Sequence, residues 1–520
     1  MSDERAEFDL VVIGSGFGGT LFAAPWVEAG KRVLVLERGD WVPRDARCWD
    51  VDGSFDLTPY YSTLPPYRVL AGCKQPVIGS CACVGGASVF YGGVSLRLRR
   101  EDFVADPAIV GDSGAAWPFD YATLEPFYTE AERRLDVAGA RGVDPTEPPR
   151  SGDYPQPSYP LTRAARLVQR GAERAGLRPF PLPLAINYRA DGARQACAAC
   201  RTCDTFACAI GAKNDLASGL LPTLLAQGLT LRTGALVTRL QTEGRRVTEV
   251  TLFDRATQQH TTVRAGTVAL AAGAIGSPHL LLASRLEQLN PGGQVVGRYL
   301  MRHCNGIVFG VFPRVPDPER EFHKQLGVHD YYFGHPTVRA PQGKLGSLQQ
   351  LQTPPIGLVR AHIPRALGAI ASPVIERMTG LLLIAEDQPQ LDNHLRLDWQ
   401  TRDGAGLPQL EITHRYSPRD LAARRALGQA ARKIMRQAGA WLTHTRTIQT
   451  FSHALGTVRM GSDPERSALD AHCRFRGVDN LFVVDASAFP TAAAVNPSLT
   501  IAANALRASR HALEDGHGLP

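Results

Sequence analysis

Phe8-Asp9-Leu10-Val11-Val12-Ile13-Gly14-Ser15-Gly16-Phe17-Gly18-Gly19 decides the fold. Phe8 to Ile13 reads as a buried strand, Gly19 to Ala29 as a helix, and Arg32 to Leu36 as the next strand. The glycines fill the G-x-G-x-x-G pattern of a βαβ unit. Gly14 allows the tight turn, Gly16 lets a pyrophosphate approach the backbone, and Gly19 lets helix pack on strand. A helix N-terminus there offers free N–H groups and a positive dipole end to phosphates. Glu37 follows the second strand, where an acid grips a ribose 2′-OH and disfavours a 2′-phosphate. Gly14, Gly16, Phe17, Gly18, Gly19, Glu37 and Arg38 are therefore expected at a dinucleotide. The fingerprint alone does not choose between FAD and NAD.

Working outward, 520 residues exceed one simple core, so two domains are expected. Hydrophobic content of 44% and charged content of 21% are those of an ordinary globular chain. The net charge of +7 is spread out, with no Lys/Arg block that would mark nucleic acid or a membrane surface. No apolar run is long enough for a membrane span. The charged start, Met1 to Glu7, runs straight into the first strand and fits no cleavable signal, so a cytoplasmic location is expected.

Further strands are read at Leu229–Arg232, Leu236–Gln241, Val247–Phe253, Thr261–Leu270, Gly306–Pro313, Leu381–Ala385 and Asn480–Asp485. Helices are read at Leu124–Ala138, Leu161–Ala175, Ala217–Gln227, Ser417–Ala438 and the C-terminus, with an irregular excursion over Trp41–Tyr67. The expected class is α/β. A discontinuous Rossmann-type domain (1–160, 212–303, 446–520) accompanies a mixed α+β substrate domain (161–211, 304–445) that carries a Cys-rich insertion. The cleft between them is the expected reaction site.

Several ordered stretches carry a resemblance. Ser452-His453-Ala454-Leu455-Gly456-Thr457-Val458-Arg459-Met460-Gly461 is similar to the H-x-x-G-T-x-x-M-G segment of the glucose–methanol–choline (GMC) flavin oxidoreductases. Val484 to Pro490, Val495 to Ala502, Gly273 to Leu281 and Val296 to His303 resemble other signatures of that family, in order. The resemblance implies FAD. It implies His453 as the base that takes a hydroxyl proton while hydride passes to flavin N5, a role suited to imidazole. Asn496 would then hydrogen-bond the substrate oxygen. As an amide it is no base, so one base is implied.

By the same resemblance the flavin contacts are Gly85, Gly86, Ser88, Val237, Ala272, Gly273, Asp485, Ala486, Asn496, Pro497 and Ser498. Tyr91 stands where an Asn is common in the family. No His lies between Cys73 and Phe103, so the histidyl flavin linkage is not expected and FAD is expected to be non-covalent. The implied substrate is a small alcohol, sugar or sterol-like molecule. The electron acceptor stays open among oxygen, a quinone and a protein. A non-redox lyase and an electron-transfer subunit are the rival readings.

Of ten cysteines, Cys197, Cys200, Cys203 and Cys208 crowd one stretch before Gly211-Ala212-Lys213. Their spacing is compatible with an iron–sulfur cluster, with tetrahedral zinc, or with a purely structural role. No Pro follows Cys208, unlike ferredoxin runs, which favours the structural reading. Cys73, Cys81 and Cys83 form a second small group, too tightly spaced to hold zinc unaided.

Overall fold

The opening strand, Phe8–Ile13, lies at the centre of a parallel sheet in the computed structural model. The structure describes residues 7–50, 61–62, 67–71, 80–190, 192, 194–321, 323–339, 341–353, 368–448 and 450–516. Phe8–Ile13 pairs with Val33–Leu36 on one side and with Gln259–Leu270 on the other. Thr230–Arg232 extends one edge and Leu481–Val483 pairs beyond Gln259–Leu270. The long strand Gln259–Leu270 has two uses. Its second half belongs to the parallel sheet, while its first half joins an antiparallel meander with Arg246–Asp254 and Ala235–Glu243. The sheet residues are buried and apolar, and helix Phe17–Glu28 packs on Phe8–Ile13 and Val33–Leu36.

Helix Phe17–Glu28 follows the first turn and packs on the C-terminal helix Ser498–Gly516, which in turn meets Tyr121–Arg134. The glycines are needed for this approach. A Cβ on Gly19 would overlap the Gly14 carbonyl oxygen, and one on Gly18 would sit 2.5 Å from the Val484 carbonyl oxygen.

A second sheet is antiparallel. Its order is Leu442–Thr447, Cys304–Val311, Met378–Ala385, Gly346–Leu351, Leu326–Val328 and Phe180–Pro181. Helix Pro418–Gln437 lies against one face and packs on Arg163–Arg174. Ser417 caps the first of these helices, its hydroxyl accepting from Asp420 N–H while the Asp420 carboxylate takes the Ser417 N–H. A third, smaller sheet joins Tyr67–Ala71, Pro408–Thr413 and His394–Arg402. The expected α/β class with a mixed second unit is what the chain forms. The expected helices begin and end within a few residues of those observed, at Tyr121–Arg134, Arg163–Arg174, Leu220–Ala226 and Pro418–Gln437. Most of the expected irregular stretch at Trp41–Tyr67 lies outside the described residues; within it Ala46–Trp49 makes a short 3-10 turn.

Candidate active site

A cleft of about 480 Å³ runs along the C-terminal ends of the parallel strands. Gly14, Gly16, Phe17, Gly18, Glu37, Arg38, Gly86, Val237, Ala272, Gly273, Asp485, Ala486, Pro497 and His453 all line it. Gly19, Gly85, Ser88, Asn496 and Ser498 are not among the residues that line it. Gly19 serves helix packing. Gly85, with φ at +84°, donates its N–H to Ser15 Oγ at 2.9 Å. Ser88 closes the same turn onto the Gly85 carbonyl and accepts from Leu216 N–H.

The cleft fits a dinucleotide on its own geometry. Helix Phe17–Glu28 carries no side-chain cap, so its first-turn N–H groups face the cleft unclaimed by any capping side chain. A Cβ on Gly16 would meet nothing within 4 Å, which leaves room for a phosphate against the backbone. Glu37 is 5% exposed and is held by Ser15 N–H (3.1 Å), Ser15 Oγ–H (2.6 Å) and Gly39 N–H (2.9 Å). Ser15 was not singled out in the sequence, yet it joins the acid to the Gly85 turn. The Asp485 carboxylate is buried and accepts from Gly273 N–H, Ser277 Oγ–H and Ser487 N–H. Burial pushes its pKa up, and those donors oppose the shift.

His453 lines the cleft and is half-buried. Its Nδ1 lies 3.0 Å from His303 Nδ1. The other His303 nitrogen, Nε2, lies 3.0 Å from the Ala492 carbonyl oxygen. A carbonyl only accepts, so His303 carries its proton on Nε2 and presents a bare Nδ1. His453 must then donate from its own Nδ1. Its Nε2 is left unprotonated, as a base requires. Burial, reinforced by neighbouring His303, lowers the His453 pKa well below the ordinary imidazole value and keeps it neutral.

Backbone geometry sets this pair. Met301 and Leu455 exchange both N–H···O bonds (3.0 and 2.9 Å), and each histidine lies two residues from that bridge. Gly456 makes the approach feasible: φ is +92°, and a Cβ would lie 2.7 Å from the Tyr299 carbonyl oxygen. Arg302 fastens the neighbouring chain, donating to His414 Nδ1 and the Thr450 carbonyl while its own N–H meets Asp387. Both His303 and Ala493 adopt positive φ (60° and 53°), a conformation that side chains other than glycine take only where surroundings impose it. His303 belongs to a stretch already quoted for its resemblance, but nothing in the sequence pointed to its role.

Asn496 is placed by the second sheet. Gln349 Nε2 donates to Asn496 Oδ1 at 2.6 Å. Among cleft residues that went unpredicted are His279, whose Nε2 meets the Pro408 carbonyl at 2.9 Å, and the Asp403–Leu407 turn.

The cysteine run requires a correction. Cys197, Cys200, Cys203 and Cys208 are all free thiols, and among the described residues no group of three or more His, Cys, Asp or Glu is placed to hold a metal ion. The reason is Lys213. Its buried ammonium donates to the carbonyls of Tyr91, Cys203 and Phe206 (2.9, 3.1 and 2.7 Å), so the loop turns its backbone inward around a cation. The thiols look elsewhere: Cys197 to His323 at 3.5 Å, Cys200 to Thr202 at 3.6 Å. Burial raises the Cys197 thiol to about 12. Cys73 lies outside the described residues.

Comparison with known proteins agrees with this geometry. GMC oxidoreductase family models match residues 11–305 and 389–505. The chain belongs to the GMC oxidoreductase family and is an FAD-dependent oxidoreductase. It is 32% identical to paromamine 6'-oxidase of Streptomyces fradiae over 98% of this chain and 92% of that one. It is 28% identical to 2-methyl-1,2-propanediol dehydrogenase of Mycolicibacterium austroafricanum over 98% and 95%. Pyridoxine 4-oxidase from Mesorbium loti shares the fold, with a TM-score of 0.66 at 22% identity over 97% of this chain and 99% of that one. Among the described residues no helix is long and apolar enough to cross a membrane.

Proposed function

We propose that the chain oxidises a CH–OH group of a small alcohol or sugar, with His453 as general base and Asn496 as hydrogen-bond donor to the substrate oxygen. The observation that carries this reading is the His453–His303–Ala492 chain, which leaves a bare Nε2 on a neutral histidine lining a dinucleotide-shaped cleft. The names of the relatives support it, since they act on hydroxyl-bearing molecules as oxidases or dehydrogenases.

FAD, when bound, supplies a two-electron acceptor for the substrate hydrogen. The chain's residues do the rest. The first-turn N–H groups of Phe17–Glu28 would hold the pyrophosphate, Glu37 would take a ribose hydroxyl, Val237 would meet the adenine, and Gly273, Asp485, Ala486 and Pro497 would line the rest of the cofactor. His453 Nε2 receives the hydroxyl proton; the resulting imidazolium keeps its Nδ1–H on His303. Asn496 steadies the oxygen as charge develops on it. FAD is held non-covalently, because no His occurs between Cys73 and Phe103. The cofactor unit is drawn from 1–160, 212–303 and 446–520, and the substrate unit from 161–211 and 304–445.

The test is an anaerobic flavin spectrum of the holoenzyme titrated with 1-propanol, 1,2-propanediol, glycerol, glucosamine and benzyl alcohol. Bleaching by a member of this panel is expected. A flavin that none of them reduces would overturn the reading. Re-oxidation of the bleached protein by oxygen, a quinone or a protein acceptor then names the electron partner.

A further inference from the structure

Gln349 is fully buried in the strand Gly346–Leu351 of the second sheet. Its Nε2 donates to Asn496 Oδ1 at 2.6 Å, while its Oε1 has no hydrogen-bond partner. The amide orientation follows from that imbalance. Turned over, Gln349 would accept from Asn496 and bury an NH₂ with nothing to receive it. A stranded N–H group costs more than a stranded carbonyl oxygen with spare lone pairs, so the first arrangement holds. Asn496 is only half-buried, and with its oxygen engaged by Gln349 its NH₂ is the end left to meet an acceptor.

The same strand grips the adjoining loop. Ser347, on the same sheet face two residues earlier, donates Oγ–H to the Ala494 carbonyl at 2.6 Å. The loop Ala492–Asn496 is thus tied to this strand at both Ala494 and Asn496, and it carries the Ala492 carbonyl that orients His303.

We propose that Gln349 is the positioning residue that fixes Asn496 as a hydrogen-bond donor, with its NH₂ toward the substrate oxygen. This rests on the reading of Asn496 given above. Without Gln349, either end of the Asn496 amide is presented. Its oxygen would then repel the developing negative charge that its NH₂ stabilises.

The test uses the holoenzyme and the panel alcohol that reduces wild-type flavin fastest. Gln349→Glu keeps the volume and, at about pH 9 where even a buried carboxyl is ionised, only accepts, so there it draws the Asn496 NH₂ to itself and turns the oxygen outward. The rate of anaerobic flavin reduction is expected to fall about 10–100-fold, the range for losing one preorganised donor. Binding of tert-butanol, which has no hydrogen to transfer, is expected to weaken about 3–10-fold when followed by perturbation of the oxidised flavin spectrum. In an Asn496→Ala background, Gln349→Glu is expected to change neither quantity further, because its action passes through Asn496. A general loosening of the fold would instead add to the Asn496→Ala effect. Gln349→Glu at the wild-type rate, or a full effect persisting in the Asn496→Ala background, overturns the proposal. Asn496→Ala at the wild-type rate overturns the Asn496 reading beneath it. Wild-type flavin that no alcohol bleaches overturns the proposed function itself.

Discussion

Replacing His303 by Phe removes the acceptor for His453 Nδ1–H while keeping a ring in the same space. Two 3.0 Å contacts are lost, one to His453 and one to the Ala492 carbonyl. Each leaves a buried partner unpaired, at about 1–3 kcal/mol apiece. The first loss bears on the reaction, because a free His453 divides its time between tautomers and presents a protonated Nε2 for part of it. The imidazolium that forms also loses the acceptor for its Nδ1–H, a charge-assisted bond worth about 1.5–3 kcal/mol, so the rate is expected to fall roughly 10–100-fold. The second loss bears on stability, and the denaturation midpoint is expected to fall with it. The assay is stopped-flow anaerobic flavin reduction by the best panel alcohol, with flavin content measured in parallel. His303→Asn sharpens the result: its Oδ1 stands close to where Nδ1 stood, so it accepts from His453 and recovers part of the rate. Reduction by His303→Phe at the wild-type rate, with full flavin content, would refute the tautomer argument outright.

Other substitutions separate cofactor from fold. Gly19→Ala drives a Cβ into the Gly14 carbonyl and is expected to prevent accumulation of folded protein. Gly16→Ala meets no protein atom within 4 Å, so it is expected to leave the melting temperature of apoprotein unchanged while weakening FAD binding, read by flavin fluorescence. Lys213→Met strands three buried carbonyls and is expected to cost about 3–5 kcal/mol in denaturant unfolding; Cys200→Ser, which touches only its own loop, is expected to leave flavin reduction unaltered. The fold should also weaken in acid. Burial lowers His279 and His323 to about 4, so these stay neutral in the native state while the unfolded chain protonates them near pH 6.5. Their contribution is intact above pH 6.5 and is lost as the pH falls toward 4, at about 1.4 kcal/mol per pH unit for each. A urea midpoint independent of pH between 6.5 and 4.5 would contradict this. His453 has the same sign: the acid limb of the reduction rate is expected below pH 6.5.

What was legible in the sequence had local causes. The first strand and its glycine turn read correctly because apolar runs, φ requirements and close approach act over a few residues. Strand Gly346–Leu351 did not. Its residues, Gly-Ser-Leu-Gln-Gln-Leu, carry no apolar alternation, since Ser347 and Gln349 face a polar loop rather than a core. The His303–His453 contact spans 150 residues and depends on a backbone bridge that no periodicity announces. The cysteines misled for a related reason. Their spacing matches that of ligand sets, whereas the interaction that shapes their loop is a lysine ammonium on backbone carbonyls, which leaves no mark on side-chain pattern.

The two sheets meet at the loop Ala492–Asn496, and the charges buried beneath it explain why the loop holds its strained shape. Glu386 Oε1 accepts the Ala493 N–H at 3.0 Å, and Tyr332 accepts the Ala494 N–H at 3.1 Å. Tyr332 in turn donates to Asp102, and Lys344 stands between Asp102 and Glu386 at 2.9 and 3.4 Å. Burying these ions carries a desolvation cost that their mutual attraction only roughly offsets, so net stability does not account for them. Direction does. The N–H groups of Ala493 and Ala494 are both met by oxygens from the second sheet or its flanks, so Ala493 keeps its positive φ and the Ala492 carbonyl keeps its aim at His303. Asp102 and Tyr332 come from opposite ends of the chain's middle, which makes the orientation of the base a property of the whole fold. A cleft able to bind a dinucleotide is built on the first sheet and the Asp403–Leu407 turn. A histidine with its lone pair turned into that cleft needs the second sheet as well.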